Sequence, residues 1–224
     1  LKYSISNIAS EFYNHPSKKI NLIGVTGTNG KTSSIYWITQ CLKHLERKAT
    51  MISTIGYGFI DDLQPTTNTT PDAVEIQSML NDFAINKIQD ACIEVSSHGI
   101  KQGRVSSIDF DVRIFTNLSR DHLDYHDSIE SYANIKKEFL LDAKKGNLVI
   151  NTDDPLGKKI FKESILDEAQ KLSFGIDSAC TLQAKNIVTE NKITKFNLLY
   201  QNKIIEVRAA VIGRYNIYNI LGVI

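Results

Sequence analysis

The sequence predicts an α/β fold: a P-loop-type, mostly parallel sheet with helices on both faces and a smaller antiparallel β portion near the C-terminus. Three observations predict it. A buried strand at 20–25 leads through a glycine-rich turn into a helix at 31–48. Apolar strands then alternate with helical segments up to about residue 170, as in parallel sheets. Beyond residue 171 the chain is rich in Val, Ile, Thr and Tyr with short polar breaks, which is typical of antiparallel strands.

The remaining elements follow from the spacing of apolar residues. A short packing helix is predicted at 4–12, where Ile5, Ile8, Ala9 and Phe12 recur at helical intervals. Further strands are predicted at 50–54, 91–95, 112–116 and 148–151, helices at 71–86, 128–143 and 155–169, and antiparallel strands at 192–199 and 203–212. With no internal repeat or low-complexity linker, one domain is expected.

Composition excludes several classes of protein. The 224 residues carry 26 Lys and Arg against 25 Asp and Glu, a formal charge of +1. This balance argues against a nucleic-acid binder, which needs clustered positive charge. No apolar run approaches the roughly 20 residues that a transmembrane helix needs, and no signal-like leader is present, so we expect a cytoplasmic location without membrane insertion.

The strongest motif is Gly27-Thr28-Asn29-Gly30-Lys31-Thr32, between the first strand and its helix. It departs from the standard phosphate loop because the leading glycine would fall at Val25. Glycines let backbone N–H groups face phosphate oxygens, Lys31 can reach the terminal phosphates, and Thr32 can ligate Mg²⁺. The loop therefore predicts a nucleoside triphosphate site, the alternative being a tight turn with a chance lysine.

ATP is favoured over GTP and NAD. The nearest match to a guanine-reading tetrad, Asn86-Lys87-Ile88-Gln89, lacks the aspartate, and no dinucleotide fingerprint occurs at the first turn.

Two polar segments follow predicted strands. Glu94 is an acid on the apolar strand 91–95, where such folds place a Mg²⁺ ligand; the alternative is a solvated strand end. The polar segment 96–104 comes next, and is either part of a ligand site or merely a loop. In the second segment, 116–126, His122 and His126 are four residues apart, as in the His-Glu-x-x-His motif of zinc proteases. The glutamate of that motif is absent, so a zinc hydrolase is disfavoured. One imidazole could instead join oxygen ligands around Mg²⁺ or Mn²⁺, or form a structural hydrogen bond.

Lys136 lies at an unusual place on the helix 128–143. Tyr132, Ile135, Phe139 and Leu140 form one apolar arc, and Lys136 projects from inside it while Lys137 lies outside. Such a lysine ordinarily extends its amine to water, and the alternative is a special role.

Taken together, these motifs resemble those of the Mur ligase family, the ATP-dependent amino-acid-adding enzymes of peptidoglycan synthesis, and most closely its tripeptide synthetases. The resemblance extends over essentially the whole chain. It is carried by residues 27–32, Asn68-Thr69-Thr70, 94–99, 116–126, and Asn216 with Asn219.

The resemblance implies a role for individual residues. The ATP phosphates would be held by Gly27, Thr28, Asn29, Gly30, Lys31, Thr32 and Ser33, and the adenine region by Asn219 with Asn216. The UDP-muramoyl-peptide would be bound by Asn68, Thr69, Thr70, Ser96, Gln102 and Arg104. Thr32, Glu94 and His122 match Mg²⁺ ligands, and Lys136 matches a lysine that CO₂ converts to a metal-binding carbamate. Lys31, Glu94, His122 and Lys136 would form the catalytic set.

The implied reaction is a carboxylate–amine ligation. ATP would phosphorylate UDP-N-acetylmuramoyl-L-alanyl-D-glutamate, and meso-diaminopimelate or L-lysine would attack the acyl phosphate. Residues 1–19 would be a linker and helix from a missing N-terminal domain, and 20–224 the central ATP-binding domain, truncated before the C-terminal domain. The chain is thus expected to be a monomeric fragment, inactive by itself.

Two alternatives stay open. A folylpolyglutamate synthetase has a similar Gly-Thr-Asn-Gly-Lys loop, but Thr32, where that family tends to have glycine, and the segments 94–99 and 121–126 argue against it. The other alternative is a non-catalytic ATP-binding module.

Overall fold

A computed structural model describes residues 2–119, 128–142 and 146–224. The helices are α1 (Lys2–Phe12), α2 (Lys31–His44), α3 (Ala73–Ile85), α4 (Ser97–Lys101), α5 (Ile129–Leu141), α6 (Pro155–Glu163) and α7 (Arg214–Leu221). The strands are β1 (Asn21–Thr26), β2 (Ala49–Ser53), β3 (Gly56–Phe59), β4 (Asp62–Gln64), β5 (Asp90–Glu94), β6 (Val112–Phe115), β7 (Asn147–Asn151), β8 (Lys171–Gly175), β9 (Leu182–Glu190), β10 (Ile193–Tyr200) and β11 (Lys203–Ala209). Within the described ranges, no helix combines the length and the apolar character needed to cross a bilayer.

The strands form one eleven-stranded sheet in the order β11-β10-β9-β8-β7-β6-β1-β5-β2-β3-β4. Its centre is parallel, and β1 pairs with both β5 and β6. Successive side chains of a strand point to opposite faces. Leu22 of β1 therefore packs in the cluster that contains α3, α5 and α6, whereas Val25 packs with Ile35 and Ile38 of α2. Helices cover both faces, and the predicted fold class is confirmed.

The predicted start of the antiparallel portion, at residue 171, is wrong. β8 pairs in parallel with β7, and the start of β9 pairs in parallel with β8. The antiparallel strands near the C-terminus are β9, β10 and β11, and a second antiparallel hairpin, β3–β4, lies at the opposite edge. A Val- and Ile-rich composition predicts a strand but does not show whether that strand is parallel or antiparallel to its neighbour. Because α6 connects β7 to β8 as a crossover, β8 runs parallel to β7.

Two helices end earlier than predicted. α2 stops at His44 instead of 48, because Glu46 has a left-handed φ of 60° that turns the chain. Arg47 then donates to Asp90 at 2.8 Å, and Leu45 is exposed rather than packed. α6 stops at Glu163 instead of 169, since Ser164 is extended and the chain turns to bury Leu166 in the core.

A packing helix was predicted at 4–12, but most of the apolar face of α1 is exposed. Ile5, Ile8 and Phe12 are exposed by 49%, 67% and 81%, while Ala9 is buried with the serines beside it. Ser107 Oγ donates to the carbonyl of Ser6 at 2.7 Å. The helix thus packs through its small residues, which allow close approach, and presents its large ones to solvent.

The parallel strands place the candidate segments at one edge. β1, β2, β5 and β6 all end there, and they are followed by Gly27, Thr54, Val95 and Thr116. Ligands in open α/β sheets bind outside the carboxyl ends of the strands. This edge is therefore the place to search for a site.

Candidate nucleotide and substrate site

The glycine loop joins β1 to α2, and two of its glycines are required by geometry. Gly27 has a φ of 152°, and a Cβ there would lie 1.9 Å from Thr116 Oγ1. Gly30, the residue before α2, has a left-handed φ of 87°. The loop leads into the N-terminus of a 14-residue helix, whose positive dipole end favours a bound anion.

The segment after β6 holds this loop in place. The Thr28 N–H donates to the carbonyl of Asn117 at 2.8 Å, and the Asn29 N–H donates to Asn117 Oδ1 at 3.1 Å. Thr116 Oγ1 donates in return to the Asn29 carbonyl at 2.7 Å. A loop fixed at both its donors and its acceptors is preorganised for a ligand.

Glu94, the last residue of β5, is only 3% exposed. It lies on the same face as Cys92, the face covered by α2, so its carboxylate meets the start of that helix. Glu94 Oε2 accepts from Thr32 Oγ1 at 2.9 Å, and Lys31 Nζ lies 3.9 Å from Oε1. The alternative of a solvated strand end is therefore wrong.

The pair of Thr32 and Glu94 fits a Mg²⁺ ion in its chemistry. A hydroxyl and a carboxylate oxygen are hard ligands, and Mg²⁺ commonly takes one or two carboxylates beside substrate phosphates and water. In the part of the chain that the structure describes, His, Cys, Asp and Glu do not gather in groups of three that could hold a metal. His122, the third predicted ligand, lies outside the described residues, as does the rest of 120–127.

Lys136 is buried, with 1% exposure, so the alternative in which its amine extends to water is wrong. Its Nζ donates to the Gly27 carbonyl at 2.9 Å and lies 4.4 Å from the centre of the Tyr132 ring. Tyr132 itself donates to Thr28 Oγ1 at 3.3 Å. Lys137 instead pairs with Glu163 at 2.6 Å, outside the site. The helix α5 thus delivers the Lys136 side chain to the glycine loop.

A polar cavity of about 400 Å³ adjoins the loop. The residues implied as substrate ligands by the family resemblance all line it: Asn68, Thr69, Thr70, Ser96, Gln102 and Arg104. Lys31 and Glu94 line it as well, so the cavity and the candidate nucleotide site share two side chains. Two further lining residues, Thr54 and His98, were given no individual role by the motifs, although His98 lies within the segment 94–99. Thr54 directly follows β2, and its position at the carboxyl end of a parallel strand was the available signal.

The cavity wall is held together by Thr70, which is 1% exposed. Its hydroxyl donates to the Glu94 carbonyl at 2.6 Å and accepts from the Ser96 N–H at 2.9 Å. Arg104 Nη1 donates to the Thr70 carbonyl, and Arg104 Nε donates to Gln102 Oε1 at 2.9 Å. Thr70 therefore orders the wall, while Gln102 and Arg104 form a polar pair on it.

The two asparagines of α7 differ in position. Asn219 is 4% exposed and lies directly against Gly30. The Asn216 side chain instead donates to the Ile212 carbonyl at 2.9 Å, just before its own helix. The structure brings Asn219 to the loop and leaves Asn216 at the start of α7.

Two aspartates after β7 support the site, and the sequence analysis did not find them. Asp153 Oδ2 accepts from the Ile176 and Asp177 N–H groups at 2.6 and 2.9 Å and from Tyr218 Oη of α7 at 2.9 Å. Burial raises the pKa of Asp153, but these N–H groups and Ser178 outweigh it and bring the pKa to about 2. Asp153 thereby ties α7 to the sheet.

Asp154 caps α6 and also accepts from the Leu118 N–H at 2.8 Å, in the segment that holds the loop. Burial is the main cause that raises the pKa of Asp154 above its ordinary value. The signal available in the sequence was a pair of acids directly after a strand and before Pro155.

The glycine loop between β1 and α2 of a mostly parallel sheet places the chain among the P-loop-type α/β proteins, and comparisons with known proteins narrow this class. Residues 25–224 match the Mur ligase middle domain. The UDP-N-acetylmuramoyl-L-alanyl-D-glutamate–2,6-diaminopimelate ligase of Fusobacterium nucleatum is 37% identical over 225 residues, and that of Caldanaerobacter subterraneus is 38% identical over 221. A solved structure of a ligase with this name superposes with a TM-score of 0.89 at 28% identity, covering 99% of this chain and 46% of that one.

The chain belongs to the Mur ligase family, as its motifs predicted. The chain spans 45% of the length of each of these two curated relatives. The two matches extend over 100% and 99% of this chain, respectively. A mutant of L. casei FPGS superposes with a TM-score of 0.78 over 100% of this chain and 61% of that one. At 17% identity that likeness concerns the fold alone.

Proposed function

We propose that the protein is an ATP-dependent ligase of peptidoglycan precursor synthesis, which adds the third-position amino acid to UDP-N-acetylmuramoyl-L-alanyl-D-glutamate. The proposal depends on one observation: Lys31 and Glu94 belong to the candidate nucleotide site and also line the cavity. A phosphoryl donor on the loop and a carboxylate in the cavity would then be neighbours. The names of the relatives at 37% and 38% identity support this choice of substrate.

The loop and α2 would bind the nucleotide. Residues 27–33 would surround the phosphates, with Lys31 beside the terminal one; the N–H groups of Thr28 and Asn29 already donate to Asn117, so the phosphates would be met by the other N–H groups of this segment. Asn219 would contact the nucleotide where it crosses the start of α2, with Asn216 further along α7. Because the loop is already fixed by Thr116 and Asn117, little ordering would be needed on binding.

Thr32 and Glu94 would hold Mg²⁺, or Mn²⁺, with His122 as the further predicted ligand. The ion would neutralise phosphate charge, as it does in phosphoryl transfer generally. Glu94 is already oriented for this task by hydrogen bonds from Thr32 and Thr54.

The chemistry needs no protein nucleophile. The substrate carboxylate oxygen would attack the γ-phosphorus, the bond to the β-phosphate bridging oxygen would break, and ADP would leave. The amine of meso-diaminopimelate or L-lysine would then attack the acyl carbon, expelling phosphate and giving up a proton. Lys31 would stabilise the negative charge on the transferred group, so the contribution of the chain is positioning and electrostatics.

Lys136 would act at the first residue of the loop, Gly27, to whose carbonyl it donates. Its contacts, a donated hydrogen bond and an aromatic ring face, suit an unmodified ammonium group. No step of the proposed reaction uses a carbamate, and carbamoylation of Lys136 by CO₂ stays a prediction.

In this proposal residues 20–224 form the central ATP-binding domain of the ligase and residues 1–19 a linker with one helix. The isolated segment is predicted to be an inactive monomer, because neighbouring domains would complete the substrate sites. A cytoplasmic location is part of the same proposal.

Phosphate release by the product of the complete gene tests the proposal. We expect release when ATP·Mg²⁺, UDP-muramoyl-dipeptide and one of the two amino acids are all present, with a matching gain of mass in the UDP product. Lys31→Ala should reduce release at least about 100-fold. Lys43→Ala is the control, since Lys43 is on the same helix and pairs with the exposed Asp61.

The alternatives give other results in the same assay. Release driven by a folate and glutamate, in place of the UDP substrate, would favour the folylpolyglutamate synthetase. Nucleotide binding without release under any of these conditions would favour the non-catalytic module.

A further inference from the structure

Thr54 joins the candidate nucleotide site to the cavity through one hydroxyl group. Its Oγ1 lies 3.2 Å from Glu94 Oε2 and 3.0 Å from Thr69 Oγ1. Its backbone N–H also donates to Glu94 Oε2, at 3.2 Å. The parallel pairing of β2 with β5, with Ile52 opposite Ile93, sets this distance. Thr54 therefore contacts a proposed metal ligand and a proposed substrate ligand together.

The Thr54 hydroxyl is the donor in both of these contacts. A hydroxyl group has only one proton to donate. Glu94 and Thr69 therefore compete for the proton of Thr54.

This competition links Glu94 to the contents of the cavity. An N–H or O–H group of a bound molecule that donates to the Thr69 oxygen competes there with Thr54, and the Thr54 proton is then left to Glu94. Hydrogen bonds in a chain polarise one another, and they strengthen when water is displaced and the local dielectric falls. Thr54 is exposed in the cavity, so filling the cavity would shield its bond to Glu94.

We propose that Thr54 is a positioning residue that couples the two sites. A substrate group that donates to Thr69 strengthens the hydrogen bond from Thr54 to Glu94, and so fixes the carboxylate that faces the metal. This inference rests on the proposed function. Because coupling between two ligands is reciprocal, each should tighten the binding of the other, by about 5-fold or more.

Titration calorimetry on the product of the complete gene tests the coupling without turnover. The dissociation constant of UDP-muramoyl-dipeptide is measured with and without Mg²⁺ and β,γ-methylene-ATP. In Thr54→Val, which keeps the shape and the backbone N–H bond, each ligand should still bind alone while the coupling factor falls to about 1. Thr54→Ser retains the hydroxyl and should retain the coupling.

The outcomes separate this inference from the proposed function. If the parent protein binds neither ligand, the proposed function fails. If it binds both ligands without coupling, or if Thr54→Val keeps the parental coupling factor, the role of Thr54 is refuted while the proposed function stands. Should Thr54→Val not fold, Thr69→Val removes the acceptor that competes with Glu94, and parental coupling in that variant refutes the inference equally.

Discussion

Asn219 lies so close to Gly30 that a Cβ on Gly30 would be 2.2 Å from Asn219 Oδ1. The two residues are far apart in the sequence, and their contact brings α7 to the start of α2. Through it, the C-terminal helix becomes part of the wall around the glycine loop. The contact also makes Gly30 doubly sensitive to substitution, through its left-handed φ and through this neighbour.

Gly30→Ala is therefore expected to lower the free energy of unfolding by about 1–2 kcal/mol from backbone strain alone, with a further loss from the clash. In an Asn219→Ala background the same substitution should cost less, because the clash is removed while the φ of 87° remains. Urea unfolding of the two single variants and the double variant measures this. Equal losses in both backgrounds would show that the contact has no energetic role.

Glu94→Gln should lower phosphate release at least about 100-fold, since an amide replaces a carboxylate ligand. It should also raise the Mg²⁺ concentration needed for half-maximal release. Asp90→Asn is the matched control at the other end of β5. Asp90 is also buried, but it pairs with Arg47 away from the glycine loop. Asp90→Asn should therefore reduce stability and leave the Mg²⁺ requirement unchanged. A parental Mg²⁺ requirement in Glu94→Gln would contradict the proposed metal site.

Lys136→Ala should nearly abolish ligation, while Lys137→Ala, one residue away and paired with Glu163, should retain it. Rescue experiments distinguish the chemical form of Lys136. Partial recovery of Lys136→Ala with acetate or bicarbonate would support a carbamate, and recovery with methylammonium would support a cation. Full activity of Lys136→Ala without additions would refute any role.

Asp153→Asn should destabilise the protein in a pH-dependent way. The folded-state pKa of about 2 lies below the ordinary 3.8, so the carboxylate stabilises the fold fully above pH 3.8 and loses this effect as the pH falls toward 2. We expect the substitution to lower the free energy of unfolding by about 1–3 kcal/mol at neutral pH, and this loss should become smaller as the pH falls from 3.8 toward 2. Urea unfolding across the pH range measures it, with Asp177→Asn, in an exposed ion pair with Arg214, as the control. A loss independent of pH would contradict the assignment.

The parts of the site that depend on residues adjacent in the sequence could be predicted from the sequence alone. The glycine loop between β1 and α2 is such a part, and so is the inward position of Lys136 on α5. The family resemblance supplied residues that line one cavity although they come from separate segments, such as Thr69 and Arg104.

Features that depend on distant contacts could not be predicted in this way. The end of α2 depends on Arg47 reaching Asp90, and the place of Thr54 depends on the register between β2 and β5. Asp153 acquires its partners from β8 and α7 only after the chain has crossed the sheet. Hydrophobic periodicity contains no information about such pairings.

Transfer of ¹⁸O from the substrate to phosphate tests whether the reaction passes through an acyl phosphate. UDP-muramoyl-dipeptide labelled in its reacting carboxylate is incubated with ATP·Mg²⁺ and the amino acid that supports ligation, and the released phosphate is analysed by mass spectrometry. An acyl phosphate formed between the glycine loop and the cavity predicts one ¹⁸O atom in each phosphate, because the carboxylate oxygen leaves with phosphorus. Formation of the ligated product with unlabelled phosphate would contradict it.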